Sequence, residues 1–303
     1  MTTDVQTVPP RTPVSVTWGV ARTMRPRQWV KNVLVLAAPF AAGDLFSAGI
    51  VTDLAVAFVA FSLAASGIYL VNDAKDVVAD RAHPTKRNRP IAAGIVPAPL
   101  ALGVATALLL GALAVSVLAG RDLVIVVAVY IGVQLAYCFW LKHQPVLDIC
   151  VVASGFLLRA VAGGAATGIA LSQWFLLTAG FGSLFMVAGK RYAEIMLAER
   201  TGAKIRKSLE RYSASYLRFV WALSATVLIM TYCLWAFQIR EAQPHNTVWT
   251  MISIVPFVVA VLRYAVDVDG GNGGEPEDIA LGDRVLQVLA VAWLAALSLA
   301  IYA

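Results

Sequence analysis

The sequence predicts an all-α polytopic membrane protein of nine transmembrane helices, with its active-site cavity at the cytosolic side. Three observations lead there. Hydrophobic residues make up 59% of the 303-residue chain and charged residues only 14%, with a mean hydropathy of +0.75. A soluble globular domain carries far more charge. Apolar runs close to the ~20 residues that cross ~30 Å of hydrocarbon recur along the whole chain. The basic residues crowd onto one side of the bundle that those runs would form.

The apolar runs, separated by Gly, Pro or charged breaks, lie at about 29–47, 54–73, 98–119, 122–141, 146–167, 172–189, 216–238, 248–266 and 284–302. Residues 1–21 lack the compact basic, apolar and small-residue order of a cleaved signal. Pro9, Pro10 and Pro13 suggest a disordered cytosolic tail there, followed by one transmembrane catalytic domain over 22–303. Of the 24 basic residues, 21 fall on the side of the N-terminus and the even-to-odd loops, Arg121 and Arg240 fall opposite, and Arg159 lies inside a span. Basic residues mark the cytosolic side, so the N-terminus and active site are expected in the cytosol and the C-terminus outside. The three cysteines, Cys138, Cys150 and Cys233, sit in apolar runs without framework or metal spacing and read as small buried hydrophobes. Nucleic acid is not an expected partner, membrane lipids are, and the sequence leaves a homo-oligomer open.

Ahead of the first span, Arg25-Pro26-Arg27-Gln28-Trp29-Val30-Lys31-Asn32 places basic residues and a Trp at the membrane boundary. Two readings stand: a topology signal with interfacial anchoring, or a phosphate-binding rim that uses Arg25, Lys31 or Asn32.

The second span leads into the most informative stretch, Asn72-Asp73-Ala74-Lys75-Asp76-Val77-Val78-Ala79-Asp80, continued to Pro90. Asp73, Asp76 and Asp80 stand at i, i+3 and i+7, so at about 100° per residue they fall within roughly 60° of one another on a helix. Carboxylates that close repel unless a cation joins them. Mg²⁺ is the natural candidate, because it favours a few carboxylates plus substrate phosphates. Lys86, Arg87 and Arg89 follow as donors for phosphate oxygens. An acid cluster beside a basic cluster at a membrane surface suggests a magnesium-diphosphate site, whereas ordinary salt bridges at a solvated helix end are the plainer alternative.

Spans three and four carry no chemistry beyond Gln134, and Gly103, Gly111 and Gly132 suit close helix packing. His143 reads as a solvated loop residue, while Asp148 stands just inside span five and could reach the cavity. Arg159 lies roughly 15–20 Å below the surface at 1.5 Å per residue. A charge at that depth faces a polar cavity or a partner, and the cavity is the favoured reading. After span six come Gly189-Lys190-Arg191-Tyr192-Ala193-Glu194 and a basic run to Arg211. Lys190 and Glu194 would be salt-bridge neighbours on a continuing helix. In spans seven and eight, Trp221, Trp235 and Trp249 are expected at interfaces. The loop from Arg263 to Asp278 is acidic and glycine-rich; its Asp267 and Asp269 fit a site contact and a plain loop equally, and the missing terminal Glu excludes a calcium loop.

Asn72-Asp73-x-x-Asp76-x-x-x-Asp80 with His83-Pro84-x-Lys86-Arg87-x-Arg89-Pro90 resembles the first aspartate-rich motif of the UbiA-type intramembrane prenyltransferase superfamily. The resemblance implies a UbiA-like helical bundle. The aromatic-acceptor members carry a second Asp-x-x-x-Asp motif, and here Lys190 and Arg191 stand in its place with Glu194 as the nearby acid. Together with Arg25–Asn32 and Arg263–Asp267, this pattern resembles the branch that transfers phosphoribose to decaprenyl phosphate in cell-wall arabinan (arabinogalactan) synthesis. That resemblance implies phosphoribosyl diphosphate as donor, a polyprenyl phosphate as acceptor and Mg²⁺ as cofactor. It gives Asp73, Asp76 and Asp80, with Asn72, to the metal. It gives Lys190, Arg191, Tyr192, Lys86 and Arg87 to the substrates; Arg25, Lys31, Asn72, Glu194 and, from its depth, Arg159 are further substrate-binding candidates. An aromatic-acceptor prenyltransferase using a prenyl diphosphate is the alternative, and a membrane transporter a distant one, for which only Arg159 is deep enough and no internal repeat is visible.

Overall fold

The computed structural model describes residues 12–202, 209–242, 247–270, 279 and 282–303; those residues form helices joined by turns, with no strand among them. The basic run Lys204 to Lys207, His245 and the 271–278 loop lie outside the described residues. The chain divides into two compact units. The first takes the residues up to Ala37, Ser47–Leu141 and Ala162–Gly168; the second takes Ala38–Phe46, Lys142–Val161 and the residues from Ile169 on.

Among the described residues, seven helices are long and apolar enough to cross a membrane: Ile50–Lys75, Ala98–Ala119, Arg121–Phe139, Leu147–Thr167, Ala214–Ile239, Val248–Asp269 and Arg284–Tyr302. Each coincides with an expected span. The other two of the nine differ. The first resolves into a 3₁₀ segment, Pro26–Leu36, and a six-residue α-helix, Ala37–Ala42, before Gly43 turns the chain at φ +81°. Hydropathy alone does not distinguish three residues per turn from 3.6, so this break was invisible to it. The sixth is a continuous 29-residue helix, Gln173–Thr201, whose second half carries Lys190, Arg191, Glu194, Glu199 and Arg200.

The first unit starts with α1 (Pro13–Thr23), in the segment expected to be a tail. Thr12 and Ser15 close a reciprocal capping box and Pro13 takes the first turn, which is sufficient to start the helix. Then come α2 (Ala37–Ala42, assigned to the second unit from Ala38), α3 (Ile50–Lys75), α4 (Val77–Arg81), α5 (Ala98–Ser116) and α6 (Arg121–Phe139). Helix α3 is apolar on every face, and 67% of its membrane window is buried, against 22% for α5 and α6. It is therefore the unit's central element, as an all-round apolar helix should be. Gly67 lets α5 approach, since a Cβ there would meet Leu109 at 2.9 Å. The 3₁₀ segment docks on α3 through Trp29 Nε1 to Ser66 Oγ (3.1 Å) and Asn32 Nδ2 to Ser62 Oγ (2.9 Å). Asn32, one of three residues named for a phosphate rim, is thus spent on helix docking.

The second unit holds α7 (Leu147–Thr167, to Val161), α8 (Gln173–Thr201), α9 (Ala214–Ala242), α10 (Thr247–Asp269) and α11 (Arg284–Tyr302). Its core joins α8 and α9 through Phe185, Tyr192 and Trp221, and a second cluster gathers Tyr232, Trp235 and Leu297. Trp221 and Trp235 are therefore core residues, not interfacial anchors, while Trp249 is 40% exposed. Of the cysteines only Cys138 is buried; Cys150 is exposed and Cys233 intermediate. A thiol facing lipid tails meets an environment as apolar as a core.

Candidate functional site

The acid motif sits where α3 ends. The helix stops at Lys75, Asp76 takes φ −89°, ψ 8°, and α4 continues for one turn. Helical hydrogen bonds run through the junction, from Asp76 N–H to Asn72 C=O (2.9 Å) and from Asp80 N–H to Asp76 C=O (2.8 Å). The expected shared face therefore survives the bend. Asp73 and Asp80 are 2% and 3% exposed.

Two arginines neutralise them. Asp73 Oδ1 accepts from Arg25 Nη2 at 2.7 Å and from Arg89 Nη1 at 3.1 Å. The same Arg89 nitrogen donates to Asp80 Oδ2 at 2.7 Å. Burying two carboxylates without partners would be prohibitive, and charge-assisted hydrogen bonds to guanidinium offset that cost. Arg25 lies in the left-handed region at φ 54°, which is unfavourable for a residue with a side chain. Its place is held by Asp73 and by the Tyr69 ring, 4.5 Å from the guanidinium carbon.

Arg89 is delivered by a compact turn. Pro90 C=O accepts from Ile95 and Val96 N–H, Arg81 Nε donates to Ala92 C=O at 3.0 Å, and Ile91 and Val96 are buried. Helix α1 presses against this turn at Gly19, where a Cβ would stand 2.7 Å from Val96 Cγ2. That close approach brings Arg22 and Arg25, one turn further on, toward Arg89. The result is a cleft of about 210 Å³ lined by Arg22, Thr23, Arg25, Asp73, Thr85, Asn88, Arg89 and Pro90. Three guanidiniums over a buried acid can, by their chemistry, receive phosphate oxygens.

The cleft differs in membership from the sequence reading. Arg25 and Asp73 line it, Asp80 supports it through Arg89, and Lys31, Asn72, Asp76, Lys86 and Arg87 are not among its lining residues. Arg22, Thr85 and Asn88 were missed. For Arg22 the available signal is its place three residues before Arg25 in the sequence.

The donor set suits Mg²⁺ in one way. It offers only hard oxygens, and this ion binds through one or two carboxylates plus phosphate oxygens. It is not a preformed cage, since among the described residues no three His, Cys, Asp or Glu side chains gather to hold a metal.

The second unit carries its own polar cluster around α8. Tyr192 donates to Asp269 Oδ1 at 2.9 Å, and Arg218 Nη2 donates to the same oxygen at 2.8 Å. Trp221 stacks on Tyr192, with ring centroids 5.5 Å apart, and Gly189 makes room for it, because a Cβ there would be 2.9 Å from the indole nitrogen. Arg191 is 8% exposed and pairs with Glu194, three residues on, at 3.6 Å. Asp269 is thus a partner of Tyr192 and Arg218. Arg159 is 6% exposed and donates to the carbonyl of Gly155 one turn back at 2.6 Å, with the Phe156 ring beside it.

Asp148, 1% exposed, accepts from the Tyr212 hydroxyl, and that hydroxyl in turn accepts from Val146 N–H. Val146 is in the left-handed region at φ 70°. Among the described residues, Asp148 Oδ2 has no hydrogen-bond partner. Burial and then the Asp148 hydrogen bond push the Tyr212 hydroxyl well above the ordinary phenol range. At the start of α11, Asp283 caps Val285 N–H at 2.7 Å and accepts from Arg263 Nε at 2.6 Å. That hydrogen bond from Arg263 holds its carboxyl below the usual range.

Comparison with known proteins bears on both units. The family described as "UbiA prenyltransferase family" matches residues 33–282. Decaprenyl-phosphate phosphoribosyltransferase of Mycolicibacterium smegmatis is 59% identical over 304 residues, covering 97% of this chain and 95% of that protein. The protein of the same name from Mycobacterium tuberculosis is 59% identical, covering 99% of each. The one from Corynebacterium glutamicum is 57% identical, covering 96% and 89%. Among solved structures, a UbiA homolog from Archaeoglobus fulgidus bound to GPP and Mg²⁺ superposes with a TM-score of 0.70 at 14% identity, over 93% of this chain and 98% of that one. At that identity the likeness is one of fold.

Proposed function

This chain belongs to the UbiA prenyltransferase family, and from that premise we propose that it transfers 5-phosphoribose from phosphoribosyl diphosphate to decaprenyl phosphate, releasing diphosphate. The observation that carries this reading is near-full-length identity of 57–59% to relatives bearing that activity in their names. The arginine-lined cleft supports it, because both substrates present phosphates.

In the proposed reaction the bond from ribose C1 to the diphosphate oxygen breaks, and an oxygen of the lipid phosphate forms the new bond to C1 from the opposite face. A phosphate monoester is already anionic at neutral pH, so no general base is required. Arg22, Arg25 and Arg89 would bind the diphosphate and take up the charge that collects on it as it leaves. Asp73, Asp76 and Asp80, with Asn72, would hold Mg²⁺, which supplies charge neutralisation on the leaving group. Lys190, Arg191 and Tyr192 are proposed for the sugar phosphate or the lipid phosphate, with Lys86 and Arg87 for remaining oxygens. The charge asymmetry of the loops supports an active site facing the cytosol. Supply of a precursor for cell-wall arabinan is the proposed role.

The test is transfer of labelled phosphoribose into the lipid fraction by membranes containing the protein, with and without EDTA. Label that enters lipid only with decaprenyl phosphate and divalent metal present supports the reading. Diphosphate release from a prenyl diphosphate and an aromatic acceptor, without phosphoribosyl transfer, would replace it with the aromatic-acceptor alternative.

A further inference from the structure

The acid motif is occupied by the protein's own cation. One nitrogen, Nη1 of Arg89, lies 3.1 Å from Asp73 Oδ1 and 2.7 Å from Asp80 Oδ2. Both carboxylates are almost wholly buried, whereas the Arg89 side chain keeps 26% of its exposure and borders the cleft. The backbone that carries Arg89 is fixed on both sides, by the Lys86–Asn88 turn before it and the Pro90–Val96 turn after it. The long side chain alone is left to choose between the acids and the cleft.

A cation bound through these same two carboxylate oxygens and the Arg89 nitrogen between them exclude one another, since like charges repel at such separations in a poorly solvated site. We propose that Arg89 is an internal counter-ion that competes with the divalent metal for Asp73 and Asp80, and that metal-diphosphate binding displaces its guanidinium into the cleft, where it takes a diphosphate oxygen. Arg89 is on this account a positioning residue in two states. It keeps the buried acids neutralised when no substrate is present, and it couples metal entry to donor entry, because the displaced guanidinium finds its new partner only when a phosphate is there. The inference rests on the metal-diphosphate reading of the cleft, and its metal-binding test uses no donor, so it stands or falls apart from the choice of sugar or prenyl substrate.

Mn²⁺ binding to the purified full-length protein in detergent, followed by electron paramagnetic resonance without any diphosphate, reads the competition directly. Arg89→Gln is expected to bind Mn²⁺ about tenfold to a hundredfold more tightly than wild type, the factor for removing one competing charge-assisted hydrogen-bond set. Arg22→Gln removes the same charge from the same cleft without touching either carboxylate, and it is expected to shift Mn²⁺ affinity by less than about threefold. In addition, Arg89→Gln should unfold at a lower temperature than wild type without metal and regain more of that difference on adding Mg²⁺. If the glutamine variant does not fold, Arg89→Lys serves, since its point charge lacks the planar fork and should give an intermediate gain in Mn²⁺ affinity. Equal gains in Arg89→Gln and Arg22→Gln would mean a general field effect and overturn the proposal. Unchanged or weakened Mn²⁺ binding in the Arg89 variants would overturn it as well.

Discussion

Replacing Asp73 by asparagine separates the folding role of this carboxylate from its chemical one. Its Oδ1 takes two guanidinium hydrogen bonds, at 2.7 Å from Arg25 and 3.1 Å from Arg89. A charge-assisted hydrogen bond contributes roughly 1.5–3 kcal/mol and a neutral one roughly 0.5–1.5 kcal/mol. Asparagine keeps an acceptor in place, so the loss is about 1–1.5 kcal/mol per bond. Both arginine side chains retain 30% and 26% of their exposure and rehydrate, which trims the sum to about 1–2 kcal/mol. The chemical loss is larger. Removing one preorganised group that answers charge in the transition state costs about 2.7–4 kcal/mol, or roughly 10²–10³ in rate. Asp73→Asn is therefore expected to accumulate as folded protein with a slightly lower unfolding temperature, yet to transfer phosphoribose several hundredfold more slowly. Thermal unfolding in detergent and the labelled-donor assay on the same preparation give both numbers. A variant within about threefold of the wild-type rate would refute the place of Asp73 in the chemistry. Failure to fold would refute the energy assignment, showing that the two ion pairs carry far more stability than their exposure suggests.

Three further outcomes follow from the second unit. Gly189→Ala would put a Cβ 2.9 Å from the Trp221 indole nitrogen; the indole must move, the Tyr192 stack with it, and overpacking of this kind costs about 1–3 kcal/mol, to be read by thermal unfolding against wild type. Tyr212→Phe leaves Val146 N–H and Asp148 Oδ1 without their shared partner, beside an Oδ2 that has none among the described residues, so unfolding should be easier by about 2–6 kcal/mol, at roughly 1–3 for each of the two stranded groups. Asp283 titrates below its unfolded value because Arg263 donates to it; its contribution is present above the unfolded carboxylate pKa of about 3.9 and disappears as pH falls through the lower folded value. Unfolding temperature measured between neutral and acid pH should thus fall less steeply at the acid end in Asp283→Asn than in wild type.

The parts of the fold that sequence revealed are those set by apolar length alone. Seven expected spans became helices with ends within a few residues of expectation, because crossing a bilayer demands length and composition and little else. The first span differs from the seven for a local reason: it is a 3₁₀ segment followed by a short helix, with Pro26, Pro39 and Gly43 along it, and hydropathy does not see that distinction. Asp73 and Asp80 were legible because helical spacing puts them on one face, and the bend at Asp76 preserves it. Arg89 was recognised as a donor, but not as the bridge between them, since nine residues and a turn separate it from Asp80 and no periodicity spans such a gap. Lys86 and Arg87 look equivalent to it in sequence; the Pro90 turn directs Arg89 at Asp73 and Asp80. Tyr212 and Asp148 stand 64 residues apart, and nothing local announces their contact.

The most direct measurement of the central claim is a substrate choice made by one purified preparation in detergent or liposomes. It would be offered phosphoribosyl diphosphate with decaprenyl phosphate, and separately a prenyl diphosphate with an aromatic acid, each with Mg²⁺. The lipid product would be identified by mass. The account predicts decaprenyl phosphate extended by one phosphoribosyl group in the first mixture, in step with diphosphate release, and no product in the second. Prenylated aromatic product in the second mixture and unaltered decaprenyl phosphate in the first would contradict it.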